Sequence, residues 1–445
     1  MDTMPMDSTP MDSTPMDSTP MDSTPVARRT GPTRRRMLGA TLALGAVAPL
    51  GLARTASAAP SPGPSGTAPS GTAPAGTAPS GTGSPARLTL PAPTGRFPVG
   101  MVPLHLRDES RLDPNARPGR FRELMATVWY PARAAAADAY PPAPWMTEGA
   151  LKAFLDDAGF PLPPALVPLT AGHEGAPVHR TGRPLPVVLY SHGAGGHRGD
   201  HTIVVQELAS HGFAVVTVDH THDGITEFPD GTVVTRDGVA PGLYPRDYAA
   251  DVLFLLERVV DLANGRNPDV DGRALPAGLL GGLDARNIGA FGWSKGGTAV
   301  ALAMVADQRI RAGLTLDGRM ESNPAVTTDI DRPFMMMTAD YTRAASPYVE
   351  TFWRHLRGWR LDVQATGALH PSYGDTMTLI PQAGRLLGMT EQQIQSQVGT
   401  IDPGRCVLVQ QAYPRAFFDL HLRNRHHGNL LDGPSKAFPE VVYHP

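Results

Sequence analysis

Asn287-Ile-Gly-Ala-Phe-Gly-Trp-Ser-Lys-Gly-Gly297 is the stretch on which the reading of this chain turns. Its first half is an apolar strand. Gly292-x-Ser294-x-Gly296 follows, and Thr298 to Val305 continues as a helix. Glycine on both sides of the serine lets the backbone pass from strand to helix within a few residues, where side chains would collide. Such a turn lifts the serine hydroxyl to the helix N-terminus, where free N–H groups and the dipole favour a developing anion. The string alone is common; its setting between strand and helix gives it weight.

Upstream, Pro186-Val-Val-Leu-Tyr-Ser-His192-Gly-Ala-Gly-Gly196 is a second buried strand, ending in His-Gly-x-Gly-Gly. A loop of this kind can turn an N–H toward an oxyanion and is the pattern expected after the third strand of an α/β-hydrolase sheet. A phosphate loop is disfavoured, because neither Gly-x-x-x-x-Gly-Lys-Ser/Thr nor a strand-borne Gly-x-Gly-x-x-Gly is present. Further out, strands are expected at 99–106, 123–130, 186–190, 213–219, 287–292, 312–316, 333–338 and 359–366. Helices are expected at 199–211, 246–263, 295–307, 346–357 and 403–423, the last opened by the Asp402-Pro403 cap pair. Short apolar strands alternating with amphipathic helices imply a mostly parallel sheet covered on both faces. The segments 132–184 and 222–245 are expected as cap-like insertions beside it.

The chain has 445 residues, a net charge of −3 and 41% hydrophobic residues. It can bury a core, and it carries no basic field suited to nucleic acid. No apolar run reaches the ~18 residues of a membrane span. The single cysteine, Cys406, excludes an internal disulfide framework and multi-cysteine metal sites, and reads as a small buried hydrophobe. Residues 1–32, with Met-Asp-Ser-Thr-Pro repeated from Met6 to Pro25, read as a disordered leader. Residues 33–58 read as a twin-arginine signal peptide, with Arg34-Arg35, a weakly apolar stretch and Ala56-Ser57-Ala58 for cleavage. Residues 59–86 form a Ser-Gly-Thr-Ala-Pro linker, which leaves 87–445 as the catalytic domain. The expected location is extracellular, and the export machinery for twin-arginine signals is an expected partner.

A serine nucleophile needs a base, and the base needs an acid that holds its tautomer. In this fold the chain order is Ser, acid, His. Asp317 and Asp340 both follow strands and both qualify as the acid; His370 follows the last expected strand and fits the base. His355 reads as a packed or surface residue of a helix, and His421, His426 and His427 as solvent-facing. Asp219-His-Thr-His-Asp223 resembles metal-ligating strings, but reads first as polar residues lining the rim of the cleft.

Taken together, roughly residues 95–445 resemble the platelet-activating factor acetylhydrolase group (plasma and intracellular type II) and its secreted bacterial lipase and acetylhydrolase relatives. The resemblance rests on Arg122–Pro131, Val187–Gly193, Glu207–Val216 with Asp219-His220, Gly292-Trp-Ser-Lys-Gly-Gly297, Leu316-Asp317 and the His370 segment. It implies Ser294 as nucleophile, His370 as general base and Asp317, rather than Asp340, as its orienting acid. It also implies the N–H groups of Ala194 and Lys295 as oxyanion hole, and neither metal nor organic cofactor. The implied substrates are small-molecule or lipid esters: short or oxidised acyl chains on phospholipid-like molecules, and in bacterial relatives triglyceride-like or aryl esters. Trp293, where the family usually has His, and Lys295 after the serine depart from it. With only Lys152, Lys295 and Lys436 in the chain, a lysine at this position suggests attraction of an anionic substrate group or an electrostatic bias on the site. The rival readings are a triacylglycerol lipase or cutinase-like polyester hydrolase, a metal-dependent hydrolase using the Asp219–Asp223 cluster, and a non-catalytic binding protein of the same fold.

Overall fold

The structure, a computed structural model, describes residues 87–444 apart from 181, 237–241 and 324. The expected leader, signal peptide and linker (1–32, 33–58, 59–86) lie outside the described residues. The strands are β1 (Val99–Leu112), β2 (Phe121–Pro131), β3 (Pro142–Pro144), β4 (Leu169–Glu174), β5 (Leu185–Ser191), β6 (Ala214–Val218), β7 (Thr226–Glu227), β8 (Val233–Val234), β9 (Leu283–Trp293), β10 (Ile310–Leu316), β11 (Phe334–Thr338), β12 (Arg360–Ala365) and β13 (Val441–His444). The longer helices are α1 (Glu148–Ala158), α2 (Thr202–Ser210), α3 (Pro245–Ala263), α4 (Lys295–Ala306), α5 (Pro347–His355), α6 (Thr376–Leu386), α7 (Glu391–Val398) and α8 (Pro403–Arg423).

Eleven strands form one mixed sheet in the order β13-β12-β11-β10-β9-β5-β6-β2-β1-β4-β3, and β7 and β8 form a separate hairpin. The centre, from β6 through β5, β9, β10 and β11 to β12, is parallel. Strands β6, β10 and β11 are buried almost throughout, as a sheet covered on both faces requires. On one face, Val187, Leu189, Val216 and Ile288 pack against α3 and α4. On the other, α2 is buried along its whole length and contacts α8; Phe418 of α8 lies where a side chain at Gly289 would stand. This is the expected α/β-hydrolase architecture.

The chain leaves β5 for β6 on one side and reaches β9 on the other, so the strand order reverses at β5. Ligands of open α/β sheets bind at such a reversal, beyond the carboxyl ends of the strands. The register brings those ends level: Ser191 pairs with Gly292, Trp293 with Leu316, and Leu316 with Met337. The loops after β5, β9, β10 and β11 therefore leave the sheet together.

The segment expected as a cap, 132–184, divides. Its β4 pairs in parallel with β1, and β3 pairs antiparallel with β4, so these strands extend the sheet and cover what would be an open edge. Only the part around α1 and Trp145 turns toward the site: the indole Nε1 donates to Asp375 Oδ2 at 2.9 Å, and the ring meets Phe154 edge-on. The segment 222–245 carries the β7–β8 hairpin and comes back onto the nucleophile turn through Leu243. Helices α1, α6 and α7 and strands β3, β4, β7, β8 and β13 are additions to the expected elements. Pro381 interrupts the sequence pattern of α6, and β13 has only four residues.

A buried ion cluster joins β2 to α3. Arg122, 2% exposed, donates to both oxygens of Asp251 (2.7 and 3.1 Å) and to Asp113 (2.8 Å); Arg111 also reaches Asp251 (2.9 Å). Burial alone would raise the Asp251 carboxyl, but Arg122 and a hydrogen bond from His220 outweigh it and hold it far below the usual aspartate range. Arg122→Met should therefore cost about 3–5 kcal/mol, because it leaves the carboxylate without its main counter-charge; urea unfolding at neutral pH measures it. Since the folded-state value is depressed, this contribution is complete above the ordinary aspartate value of about 4 and fades as the pH falls below it. The wild-type protein should accordingly lose stability in acid more steeply than the variant.

Candidate active site

Ser294 sits between β9 and α4 with φ +55° and ψ −122°, a conformation that non-glycine residues rarely adopt. The turn is closed by Ser294 N–H donating to Leu316 O (3.0 Å) and Gly297 N–H donating to Ser294 O (3.0 Å). It is tight enough that a Cβ on Gly296 would stand 2.0 Å from the carbonyl oxygen of Ser191. The serine is thus held at the head of α4, directly against the end of β5.

Asp317 follows β10 and is fully buried, also at positive φ (+49°). Its Oδ2 accepts from His370 Nδ1 at 2.5 Å, and its Oδ1 accepts from Ala339 N–H at 2.7 Å. With Nδ1 donating, the imidazole keeps the lone pair on Nε2. The His370 ring is part-exposed and stacks on Trp293, the residue before the serine (centroids 4.7 Å apart, planes at 26°); Trp293 Nε1 donates to His370 O at 3.1 Å. Trp293 thus seats the imidazole beside the Ser294 turn. The His370 turn is braced from below: Cys406 and Gln410 both donate to Ser372 O, and Ser372 Oγ donates to Val398 O. Asp375, just beyond, accepts from Trp145 and from the N–H groups of Thr202 and Ile203 at the start of α2. Cys406 is fully buried, and burial pushes its thiol up to about 12.

The other candidates separate clearly. Asp340 is 43% exposed and lies 3.6 Å from Arg319. His355 pairs with Asp329, His427 with Asp419, and His426 is exposed. His421 does not face solvent as expected: it packs against Trp359 and Phe417, and burial pushes it down to about 4.

The Asp219–Asp223 cluster is not a rim but a buried core of ion pairs and hydrogen bonds. Asp219 is bound by Arg198, and Asp223 by Lys295, Tyr248 and Arg236. Among the described residues no three His, Cys, Asp or Glu side chains converge as metal ligands. His220 instead completes a second Ser–His–Asp chain that the sequence did not reveal. Ser191 Oγ lies 2.8 Å from His220 Nε2, and His220 Nδ1 lies 3.0 Å from Asp251 Oδ2. All three side chains are sealed from solvent, and His220 is stacked 3.6 Å from the Tyr248 ring. Burial, which outweighs the pull of Asp251, drives the imidazole down to about 3. Behind a serine that is itself sealed from solvent, this ring links the end of β5 to α3 through its two hydrogen bonds.

The loop after β5 faces Ser294 closely: a Cβ on Gly193 would stand 2.6 Å from the Trp293 ring and 3.0 Å from Ser294 Cβ. His192 Nδ1 donates to Gly193 O (2.6 Å), while its Nε2 accepts from His220 N–H (2.9 Å). Gly195 N–H is taken by Asp223 O and Gly196 N–H by Gly193 O; among the described residues no backbone carbonyl takes the N–H of Ala194 or Lys295. The Lys295 side chain does not reach toward a substrate or solvent. Its ammonium turns inward to Asp223 and to Leu243 O (2.7 Å), 4.9 Å over the Tyr248 ring. The inward turn corrects the expectation of an anion-attracting lysine, because its charge is already neutralised inside the protein.

A sequence model of the platelet-activating factor acetylhydrolase, isoform II, family matches residues 86–227. A probable 1-alkyl-2-acetylglycerophosphocholine esterase of Arthroderma benhamiae is 28% identical over 277 residues, 60% of this chain and 67% of that protein. The platelet-activating factor acetylhydrolase of Cavia porcellus is 24% identical over 244 residues, 48% of this chain and 55% of the relative. A ferulic acid esterase from Streptomyces cinnamoneus superposes with a TM-score of 0.67 at 31% identity, covering 81% of this chain and all of that one.

The difference in access makes a direct prediction. A fluorophosphonate reagent should modify Ser294 and leave Ser191 untouched, as read by peptide mass spectrometry. Ser191→Ala should keep the labelling rate within about fivefold, the scale of one internal hydrogen bond.

Proposed function

Because the chain belongs to the platelet-activating factor acetylhydrolase family of α/β-hydrolase esterases, we propose that it is a secreted serine esterase that releases short acyl groups from phospholipid-like or other small lipid esters through an acyl-enzyme. The observation that carries this reading is the 2.5 Å contact between His370 and buried Asp317, next to a serine at positive φ on the same rim of the sheet. Ser294 Oγ attacks the ester carbonyl as His370 Nε2 takes its proton. Asp317 holds Nδ1–H and stabilises the imidazolium. The N–H groups of Ala194 and Lys295 receive the tetrahedral oxyanion. Collapse expels the alcohol, which takes the proton from His370. Water activated by the same imidazole then hydrolyses acyl-Ser294 and frees the acid.

The choice of short acyl groups follows the fungal and mammalian relatives, whose names specify acetyl esters. A second reading, an aryl ester such as a feruloyl ester, is favoured by the bacterial relative that aligns over its whole length. Export rests on Arg34-Arg35 and Ala56-Ser57-Ala58. Among the described residues no helix is long and apolar enough to cross a membrane.

Ser294→Ala and His370→Ala should each lower kcat by about 10⁴-fold or more, and Asp317→Asn by about 10⁴-fold, with Asp340→Asn near wild type. Substrate choice is tested with a 2-acetyl phospholipid, methyl ferulate and a p-nitrophenyl ester chain-length series run side by side. The highest kcat/KM is expected on acetyl esters, and a preference for methyl ferulate selects the second reading. Replacing Arg34 and Arg35 by lysine should stop the protein reaching the medium, as seen by immunoblot.

A further inference from the structure

The lysine that follows the nucleophile has no role in the mechanism just given beyond its backbone N–H, yet its side chain is one of the most constrained charges near the site. Its side chain is 18% exposed, and its ammonium is bound to Asp223, itself fully buried. Asp223 is tied to both sides of the site at once. Its carboxylate holds Lys295, at the head of α4, and accepts from Tyr248 OH of α3 (3.0 Å). Its main-chain carbonyl takes the N–H of Gly195, the neighbour of Ala194, at 2.7 Å. Tyr248 OH also lies 3.4 Å from Gly193 O, and Arg236 lies 3.3 Å from the free oxygen of Asp223.

We propose that the Lys295–Asp223 ion pair is a positioning device that sets the spacing between the two oxyanion donors, the N–H groups of Ala194 and Lys295. The inference rests on the serine-esterase reading above. A single residue, Asp223, holds one donor's loop through its backbone and the other donor's residue through its side chain. The two donors come from separate strand ends, β5 and β9; the backbone contact between Gly296 and Ser191 brings the two segments together, and the ion pair ties the loop beyond that contact to the head of α4. Misplacement by a fraction of an ångström weakens hydrogen bonds that matter most in the transition state, where the oxyanion exists. The Lys295 side chain thus acts through the backbone of the hole and makes no contact with substrate of its own. Because its charge is neutralised internally, it does not distinguish anionic from neutral esters.

The test uses the whole protein and the variants K295M, K295R and Asp223→Asn. With p-nitrophenyl acetate, K295M should lose about 10- to 100-fold in kcat, with KM changed by less than about threefold. A trifluoromethyl ketone, which forms a tetrahedral oxyanion on serine, should bind more weakly by a similar factor. The anionic ester p-nitrophenyl hemisuccinate should lose the same factor as the neutral one. K295R, which keeps the charge, should retain more of kcat than K295M. If K295M does not fold by circular dichroism, Asp223→Asn takes its place, with the same expected split between kcat and KM. Wild-type turnover in K295M, a change in KM alone, a loss confined to the anionic ester, or K295R falling below K295M would overturn the proposal. Fluorophosphonate labelling separates the two levels. A wild-type protein that fails to label at Ser294 removes the serine mechanism itself, whereas labelling with unaltered K295M kinetics removes only the positioning role.

Discussion

The site is built on a close approach of two backbones. The first turn of α4 lies on the carbonyl of Ser191, with room at Gly296 for hydrogen and nothing larger. Much else follows from that contact. It forces Ser294 into a positive φ, projects its side chain from the head of a helix, and presses the nucleophile turn against the strand that carries the Gly193–Gly196 loop. Because β5, β9, β10, β11 and β12 end in register, the acid after β10 and the imidazole after β12 arrive at the same level without long excursions. Strain at the serine persists because the surrounding structure over-determines it.

Behind this turn lies an unusual amount of buried polarity. Arg122, Asp113, Asp251, His220 and Ser191 form one network, and Asp223 with Lys295 and Tyr248 another beside it, around the first half of α3, whose apolar residues pack on the sheet. Such a network is costly to desolvate and is tolerable only when nearly every member finds a partner. Its return is directional. An apolar core holds strands together but does not set the angle of a glycine loop, whereas the hydrogen bonds from His192 to Gly193 and from Gly195 to Asp223 do. The first network contains a Ser–His–Asp chain that copies the atomic connectivity of a hydrolase triad but is sealed from solvent. Connectivity therefore does not identify a catalytic triad; access and the proton affinity of the imidazole must be added.

Trp293 and Lys295 flank the serine and both depart from the pattern of the family, and each has a definite place. The indole supports the His370 ring on its face and accepts the close approach of Gly193. The ammonium is consumed by Asp223. Both residues shape the frame around the serine rather than the surface a substrate meets.

The strands of the central sheet, the helices that cover it, the glycine-flanked turn at Ser294 and the place of His370 after a strand were legible in the amino-acid order. Each depends on local signals: apolar runs of strand length, glycine around a serine, and an acid or histidine just past a strand. The choice between Asp317 and Asp340 was not local, since both follow a strand; it was decided by which carboxylate is buried within reach of His370 and which remains beside Arg319 in solvent. Helix α6, with Pro381 inside it, and the four-residue β13 lacked a periodic signal, because packing and pairing with distant segments make them. The burial of the Asp219–Asp223 cluster, the His220 relay and the inward turn of Lys295 belong wholly to the tertiary structure. A sequence displays the charge a residue can carry, but which partner neutralises that charge depends on chain segments separated by tens of residues, and only the folded arrangement brings them together.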